Sequence, residues 1–245
     1  MTASADLLDQ LTIDDYARIA FSLEPIDPSD PNSTGFGAGG VYAGPLESAP
    51  DGKPWHENYR NPMDREVTAR ARIVQAPAGK VFVRWARGST QSEWKQAASG
   101  AWWVTDNMAD RIVKETVRRF GRRGSSALVA REYAQVDKSW SDMNAVVVCR
   151  TTRPIKVLLG IGRPVHGILV HSPHLKDALQ VVILTSVPSP KSSFEQGGKK
   201  RFHFIGDQFM KDVWVGSAVA FTDWWLSQGI VDGRRTAQRA EMRRR

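Results

Sequence analysis

The sequence predicts an α+β protein: a mostly antiparallel β core with a few helices, an extended N-terminal arm and a basic C-terminal tail. Three observations predict it. Six short apolar runs follow residue 144, "AVVVC", "IKVLLGIG", "GILV", "LQVVILT", "RFHFI" and "VWVGSAVAF", with Pro, Gly and Ser between them. One strongly amphipathic helical stretch, "DNMADRIVKETVRRFG", precedes them. About forty residues near the N-terminus are rich in Pro, Gly, Ser and Asp and read as an arm or linker. The expected organisation is an acidic helix and arm over 1–62, a compact domain over 63–232 and an Arg-rich tail over 233–245.

In chain order, "LTIDDYARIAFSL" (11–23) reads as a short helix. Thr12 is placed to cap it, and Ile13, Tyr16, Ala17, Ala20 and Leu23 share one stripe. The glycines of "GFGAGG" in the arm follow no strand and open no helix, so they do not read as a phosphate loop. "EVTARARIV" alternates, "QAPAGK" signals a turn and "VFVRWAR" resumes as a strand, which together predict a β-hairpin. "STQSEWKQAAS" reads as a short helix stopped by Gly100, and "AWWV" as a strand. On a strand, Trp102 and Trp103 point to opposite faces, so one is buried and the other is free to line a pocket.

The helix after them has Asp106 or Asn107 as candidate cap and Ala109, Ile112, Val113, Val117 and Phe120 as its buried stripe. Arg111, Lys114, Arg118 and Arg119 face out, Glu115 pairs with Arg119, and Gly121 ends it. A loop "RRGSS" follows. "KSWSDMNAVVV" reads either as a cleft wall or as a turn with an aromatic plug. Gly160 and Gly162 read as strand-end or bulge positions.

With 245 residues and 41% hydrophobic content, the chain can bury one sizeable core. Its single cysteine, Cys149, excludes an internal disulfide and sits in an apolar run, as a small buried hydrophobe would. That suits a reducing compartment. The acidic start "MTASADLLDQL" has no signal-peptide core, and no run of 18 apolar residues occurs. The expectation is a cytoplasmic protein with no membrane partner.

Charge is unevenly spread. Residues 1–60 hold three Lys/Arg against ten Asp/Glu, or −7, and residues 61–245 hold 31 against 16, or +15. A basic body of this kind meets an acidic macromolecule, above all nucleic acid, or is simply a solvated basic surface. The opposed halves also suit an arm that docks on a neighbouring copy, giving a homo-oligomer or an assembly.

The hydrolase, P-loop and zincin signatures are absent. His166, His171 and His174 cluster in sequence without a standard metal spacing, so no metal is expected. Among the carboxylates of the basic body, Glu195 stands out. It lies in "SPKSSFEQGGKKRFHF", a loop leading into a strand, where catalytic groups commonly sit.

Taken in order, "VFVRWARGST", "GAWWVTDNMADRIV", "TTRPIKVLLGIG" and "FEQGGKKRFHFIGDQF" resemble the ADP-ribosyltransferase fold of bacterial toxins and phage enzymes, over roughly residues 80–214. The resemblance implies an Arg on an early strand, an aromatic strand leading into a helix over the nicotinamide, and a Glu on a loop before a late strand. It implies NAD as cofactor, Glu195 and Arg84 as catalytic residues, and Arg87, Trp102, Trp103 and Thr105 as cofactor-binding residues. An Arg would grip the pyrophosphate, aromatics would sandwich the nicotinamide, and the Glu would stabilise an oxocarbenium-like transition state. The chain departs from the family's E-x-E or Q-x-E pattern, because Gln196 and Gly197 follow Glu195.

Two functional readings therefore stand. The first is NAD-dependent ADP-ribosyl transfer onto a protein or nucleic-acid target. The second is a non-enzymatic structural or nucleic-acid-associated protein, such as a virion or assembly component. In the second reading Arg118, Arg119, Arg122, Arg123, Arg234 and Arg235 contact phosphates, and the N-terminal arm docks.

Overall fold

The computed structural model describes residues 16, 19–21, 29, 40–41, 71–88, 94–163, 165, 179–188 and 202–228. Its centre is a curled antiparallel sheet of seven strands. These are β1 (Arg72–Ala76), β2 (Val81–Ala86), β3 (Trp102–Thr105), β4 (Ala145–Thr151), β5 (Ile155–Ile161), β6 (Leu179–Val182) and β9 (Met210–Ser217). Their spatial order is β1-β5-β6-β3-β2-β4-β9, and β7 (Ser186–Pro188) with β8 (Phe202–Phe204) forms a separate two-stranded sheet. Helices α1 (Trp94–Ala98), α2 (Asp106–Phe120), α3 (Ala127–Ala134) and α4 (Ala218–Ser227) complete the fold. The predicted α+β class with a mostly antiparallel core is what the chain adopts.

The two-residue periodicity of the strands splits the core in two. Val83 and Trp85 of β2, Val104 of β3 and Val146 and Val148 of β4 face α2, α3 and α4. Phe82, Trp103, Val147, Cys149, Val157 and Val181 face the other way, onto α1 and Phe209. Leu158 and Val182 pack with Tyr16, Ala20, Phe21 and Val41 of the N-terminal segment, which is therefore joined to the body by burial. Tyr16 adds a bond from its hydroxyl to the Lys156 carbonyl (2.8 Å), and Arg163 donates to the Phe21 carbonyl (2.9 Å).

Helix α2 follows the expected stripe at Ala109, Ile112 and Val113, all buried, while Phe120 at its end is exposed. Its cap is Thr105, whose Oγ1 accepts from the Met108 amide, rather than Asp106 or Asn107. Asp106 instead accepts from Lys80 Nζ at 2.8 Å. Gly121 (φ 75°) ends the helix, its N–H donating to the Val117 carbonyl.

Three local expectations are corrected. Strands β1 and β2 do not pair as a hairpin: β1 lies against β5, and β2 lies between β3 and β4. The turn between them exists, with Gly79 at φ 81°, but β4 captures it. The Gly79 amide donates to the Thr151 carbonyl, and the Thr151 hydroxyl donates to the Pro77 carbonyl. "VWVGSAVAF" is not one strand. Ser217 ends β9 and caps α4 by accepting from the Ala220 amide, so "AVAF" is helical. Helix α3 was not expected after "RRGSS"; its eight residues bury Val129, Ala130 and Tyr133. The run "GILV" and the tail lie outside the described residues.

Candidate functional site

The site arises from an unequal pairing of β2. Against β4 it is zipped along its whole length, from Val81 opposite Arg150 to Ala86 opposite Ala145. Against β3 it pairs only at Phe82–Thr105 and Val83–Val104. The remaining residues of β3, Trp102 and Trp103, pair instead with Val182 and Val181 of β6. Beyond Val83 the two strands part, and a cavity of about 230 Å³ opens at the split.

Arg84 bridges that split with its side chain. Its Nε donates to the Ala97 carbonyl and its Nη1 to the Trp102 carbonyl, both at 2.8 Å. These bonds take two of the five guanidinium N–H donors. Burial lowers its pKa to about 10, which leaves it cationic at neutral pH. No carboxylate among the described residues pairs with it. Gly100 makes room for it: a Cβ there would stand 1.9 Å from Arg84 Nη2.

Around Arg84 the cavity is walled by Trp102, Trp103, Trp140, Gln135 and Gln180. The tryptophan pair behaves as strand alternation requires. Trp103 is 2% exposed in the core, its indole donating to the Gly100 carbonyl, and Trp102 is half-buried against the N-terminal segment. Both reach the cavity. Trp140 is 46% exposed, so "KSWSDMN" is a cleft wall. Gly40 also lines the cavity, held by its carbonyl, which accepts from the Arg163 amide at 2.8 Å. The N-terminal arm thus contributes a wall.

Sequence reasoning missed Gln135, Met143 and Gln180. Gln135 and Met143 are the non-glycine residues with positive φ (50° and 55°) among the described residues, and both line the cavity. Such backbone concentrates at ligand sites. No residue-type signal marks a glutamine in that conformation, since glycine or asparagine is the expected occupant.

The other predicted residues sit elsewhere. Thr105 spends its hydroxyl capping α2, and Arg87 is exposed at the end of β2; neither lines the cavity. Glu195, Arg234 and Arg235 lie outside the described residues. The arginines in the last turn of α2 and just beyond it are largely engaged. Arg118 and Arg119 pair with Glu115 (both 2.6 Å), Arg119 also with Glu132 (2.8 Å), and Arg122 with Asp223 (3.0 Å). Arg123 is exposed. A phosphate would have to compete with three carboxylates for this cluster. Among the described residues no trio of His, Cys, Asp or Glu is placed to hold a metal, and no helix is long and apolar enough to cross a membrane.

Fold and site together define a class: an α+β protein with a split antiparallel sheet and a small, Trp-walled cavity at the split. No protein-family model, no curated protein and no solved structure matches the chain.

Proposed function

We propose that the protein is a divergent ADP-ribosyltransferase-type domain that binds NAD through this cavity and transfers ADP-ribose to a protein or nucleic-acid acceptor. One observation carries the reading. The Arg-bearing strand β2 and the aromatic strand β3, which runs directly into α2, part to make a cavity with Arg84, Trp102 and Trp103 on its walls. At about 230 Å³ it is smaller than the roughly 300–1,000 Å³ of drug-sized sites, so it suits one ring rather than a whole dinucleotide.

In this reading the indoles hold the nicotinamide ring, and the free donors of Arg84 meet its carbonyl or the adjoining phosphates. The bond between the ribose anomeric carbon and the nicotinamide nitrogen breaks, and nicotinamide leaves. The acceptor's nucleophile forms the new bond and loses its proton. Glu195 accepts a hydrogen bond from the ribose hydroxyl and stabilises the positive charge that develops on the sugar.

The test is a thermal-shift titration with NAD, followed by nicotinamide release from NAD in the presence of protein and oligonucleotide acceptors. A saturable rise in Tm, lost in Arg84→Met, supports NAD binding. Release that disappears in Glu195→Gln, with NAD binding kept, supports transfer. A wild-type Tm unmoved by NAD overturns the reading.

A further inference from the structure

We propose that an open groove along α4 is the docking site of this chain's own Arg-rich segment, residues 234–245. Guanidinium groups of that segment pair with Asp142 and Asp223 and stack on the Trp214–Trp224 pair. The groove shares no lining residue with the cavity at the split, and the NAD reading plays no part in its occupancy.

The groove, of about 1060 Å³, follows one stripe of α4: Ala220, Asp223, Trp224 and Ser227 line it, at helical spacing. The opposite face of α4 is spent on the core through Phe221, Thr222 and Trp225. The floor is the end of β9, an edge strand of the sheet with β4 as its single neighbour. There Trp214 stacks on Trp224, with ring centroids 4.8 Å apart and planes inclined by 17°. Gly216 lets the indole lie close to its strand, since a Cβ there would stand 2.5 Å from Trp214 Cζ2. The far wall is Asp142 and Asn144, tied down by the Asn144 carbonyl accepting from the Ala218 amide (2.8 Å) and its Oδ1 accepting from the Gly88 amide (3.0 Å).

Charge and chain path name the occupant. Residues 61–245 hold 31 Lys/Arg against 16 Asp/Glu, yet among the described residues the groove is lined by two carboxylates and no Lys or Arg. Asp142 is exposed and unpaired among the described residues. Asp223 meets Arg122 through Oδ1 at 3.0 Å, but both side chains are exposed, so solvent screens the pair and Oδ2 stays open to a second cation. Aromatic faces beside carboxylates suit guanidinium groups, which pair and stack at once. Residues 234–245 carry six arginines and one glutamate. They lie outside the described residues, but the chain leaves α4 at Ser227, itself a wall of the groove. The ten residues of α4 extend about 15 Å. The five residues 229–233, "GIVDG", span up to about 17 Å, so Arg234 can reach any point along the groove.

The experiment places a nitroxide on the full chain through Thr236→Cys. Cys149 is fully buried, so the label goes to the engineered position. The indole N–H signals of the nine tryptophans are read in ¹⁵N spectra with the nitroxide oxidised and then reduced, and Trp→Phe variants assign them. The signals of Trp214 and Trp224 should lose most of their intensity in the oxidised state, while Trp103, buried on the other face of the sheet, keeps its own. The loss should vanish when Asp142→Asn and Asp223→Asn are combined, and in about 1 M salt, where the screening length is about 3 Å. Both aspartates are exposed, and the Tm of the double variant verifies folding. Intact Trp214 and Trp224 signals overturn docking, as does a loss that survives the double substitution in a folded chain. A mixture of ¹⁵N chain without nitroxide and unenriched chain with it settles the source. Signal loss there means that a second copy's segment fills the groove, which overturns docking within one chain.

Discussion

Strand β2 has two neighbours and treats them differently. On the β4 side the ladder is continuous, and valines fill both faces: Val83 and Val148 toward the helices, Val147 away from them. On the β3 side the ladder stops at Val83, and a charged side chain replaces the backbone bonds that continued pairing would make. The closed seam is where stability is concentrated; the open seam is where polar groups, left-handed backbone and a cavity collect. Sheets rarely leave backbone groups unpaired in the interior. The gap between β2 and β3 is therefore a built feature, held open by Arg84 and by the switch of β3 to β6.

The largest expected effect tests the closed seam. Cys149 stands opposite Phe82 and is fully buried, and burial, reinforced by Asp212, pushes its thiol up to about 12. Against an ordinary thiol near 9.0, the thiolate at neutral pH is about a thousandfold scarcer. Cys149 should resist a disulfide exchange reagent in the native protein and react at the normal rate once urea unfolds it. Fast native labelling would mean that this seam opens. Ile112→Ala, beneath α2 on the same seam, should cost about 2–5 kcal/mol in urea unfolding. NAD affinity should stay within about twofold, because Ile112 does not line the cavity.

The open seam should respond the opposite way. Arg84→Met leaves the Ala97 and Trp102 carbonyls without their donor, at a cost of about 2–4 kcal/mol. NAD binding should vanish with it. Gly100→Ala is the subtler version. Its methyl collides with a guanidinium that two backbone bonds hold in place, so relief requires moving Arg84 or the loop. We expect about 1–3 kcal/mol and a weakened NAD response. Unchanged NAD binding in both variants would detach the cavity from Arg84.

The sequence made the closed seam legible and the open one only partly so. Alternating apolar runs mark β2 and β4, and the 3.6-residue stripe marks α2, because burial on one face leaves a periodic trace. Partner choice leaves none: "QAPAGK" has the chemistry of a hairpin turn, yet Thr151 captures it and sends β1 to β5. "AVAF" carries the residues of a strand, yet it opens a helix that Ser217 caps and that buries Ala218, Phe221 and Trp225. At the cavity, Arg84 and the tryptophan pair were readable as a charge and aromatics on strands. Gln135, Met143 and Gly40 were not, since their roles come from backbone conformation and from chain segments meeting across the fold.

The smallest expected effect links the two seams. Glu115 on α2 is held at about 2, first by the Arg118 hydrogen bond and then by Arg119, against the opposing effect of burial. Arg119 continues to Glu132 on α3, whose carbonyl receives Gln135 Nε2 at the cavity rim. A carboxyl depressed in the folded state stabilises it above the unfolded pKa near 4.3, and the contribution is lost as pH falls toward 2. Glu115→Gln should therefore flatten the acid limb of stability between about pH 4.5 and 2. At neutral pH it should cost under about 1 kcal/mol, because Arg118 is exposed and solvent screens the pair. If the cavity wall depends on this chain of ion pairs, NAD affinity should fall in Glu115→Gln while Arg84 keeps the cavity open. If NAD affinity is unchanged, the Arg131 bonds to the Val136 and Ser141 carbonyls are enough to hold that wall, and α2 serves only the closed seam.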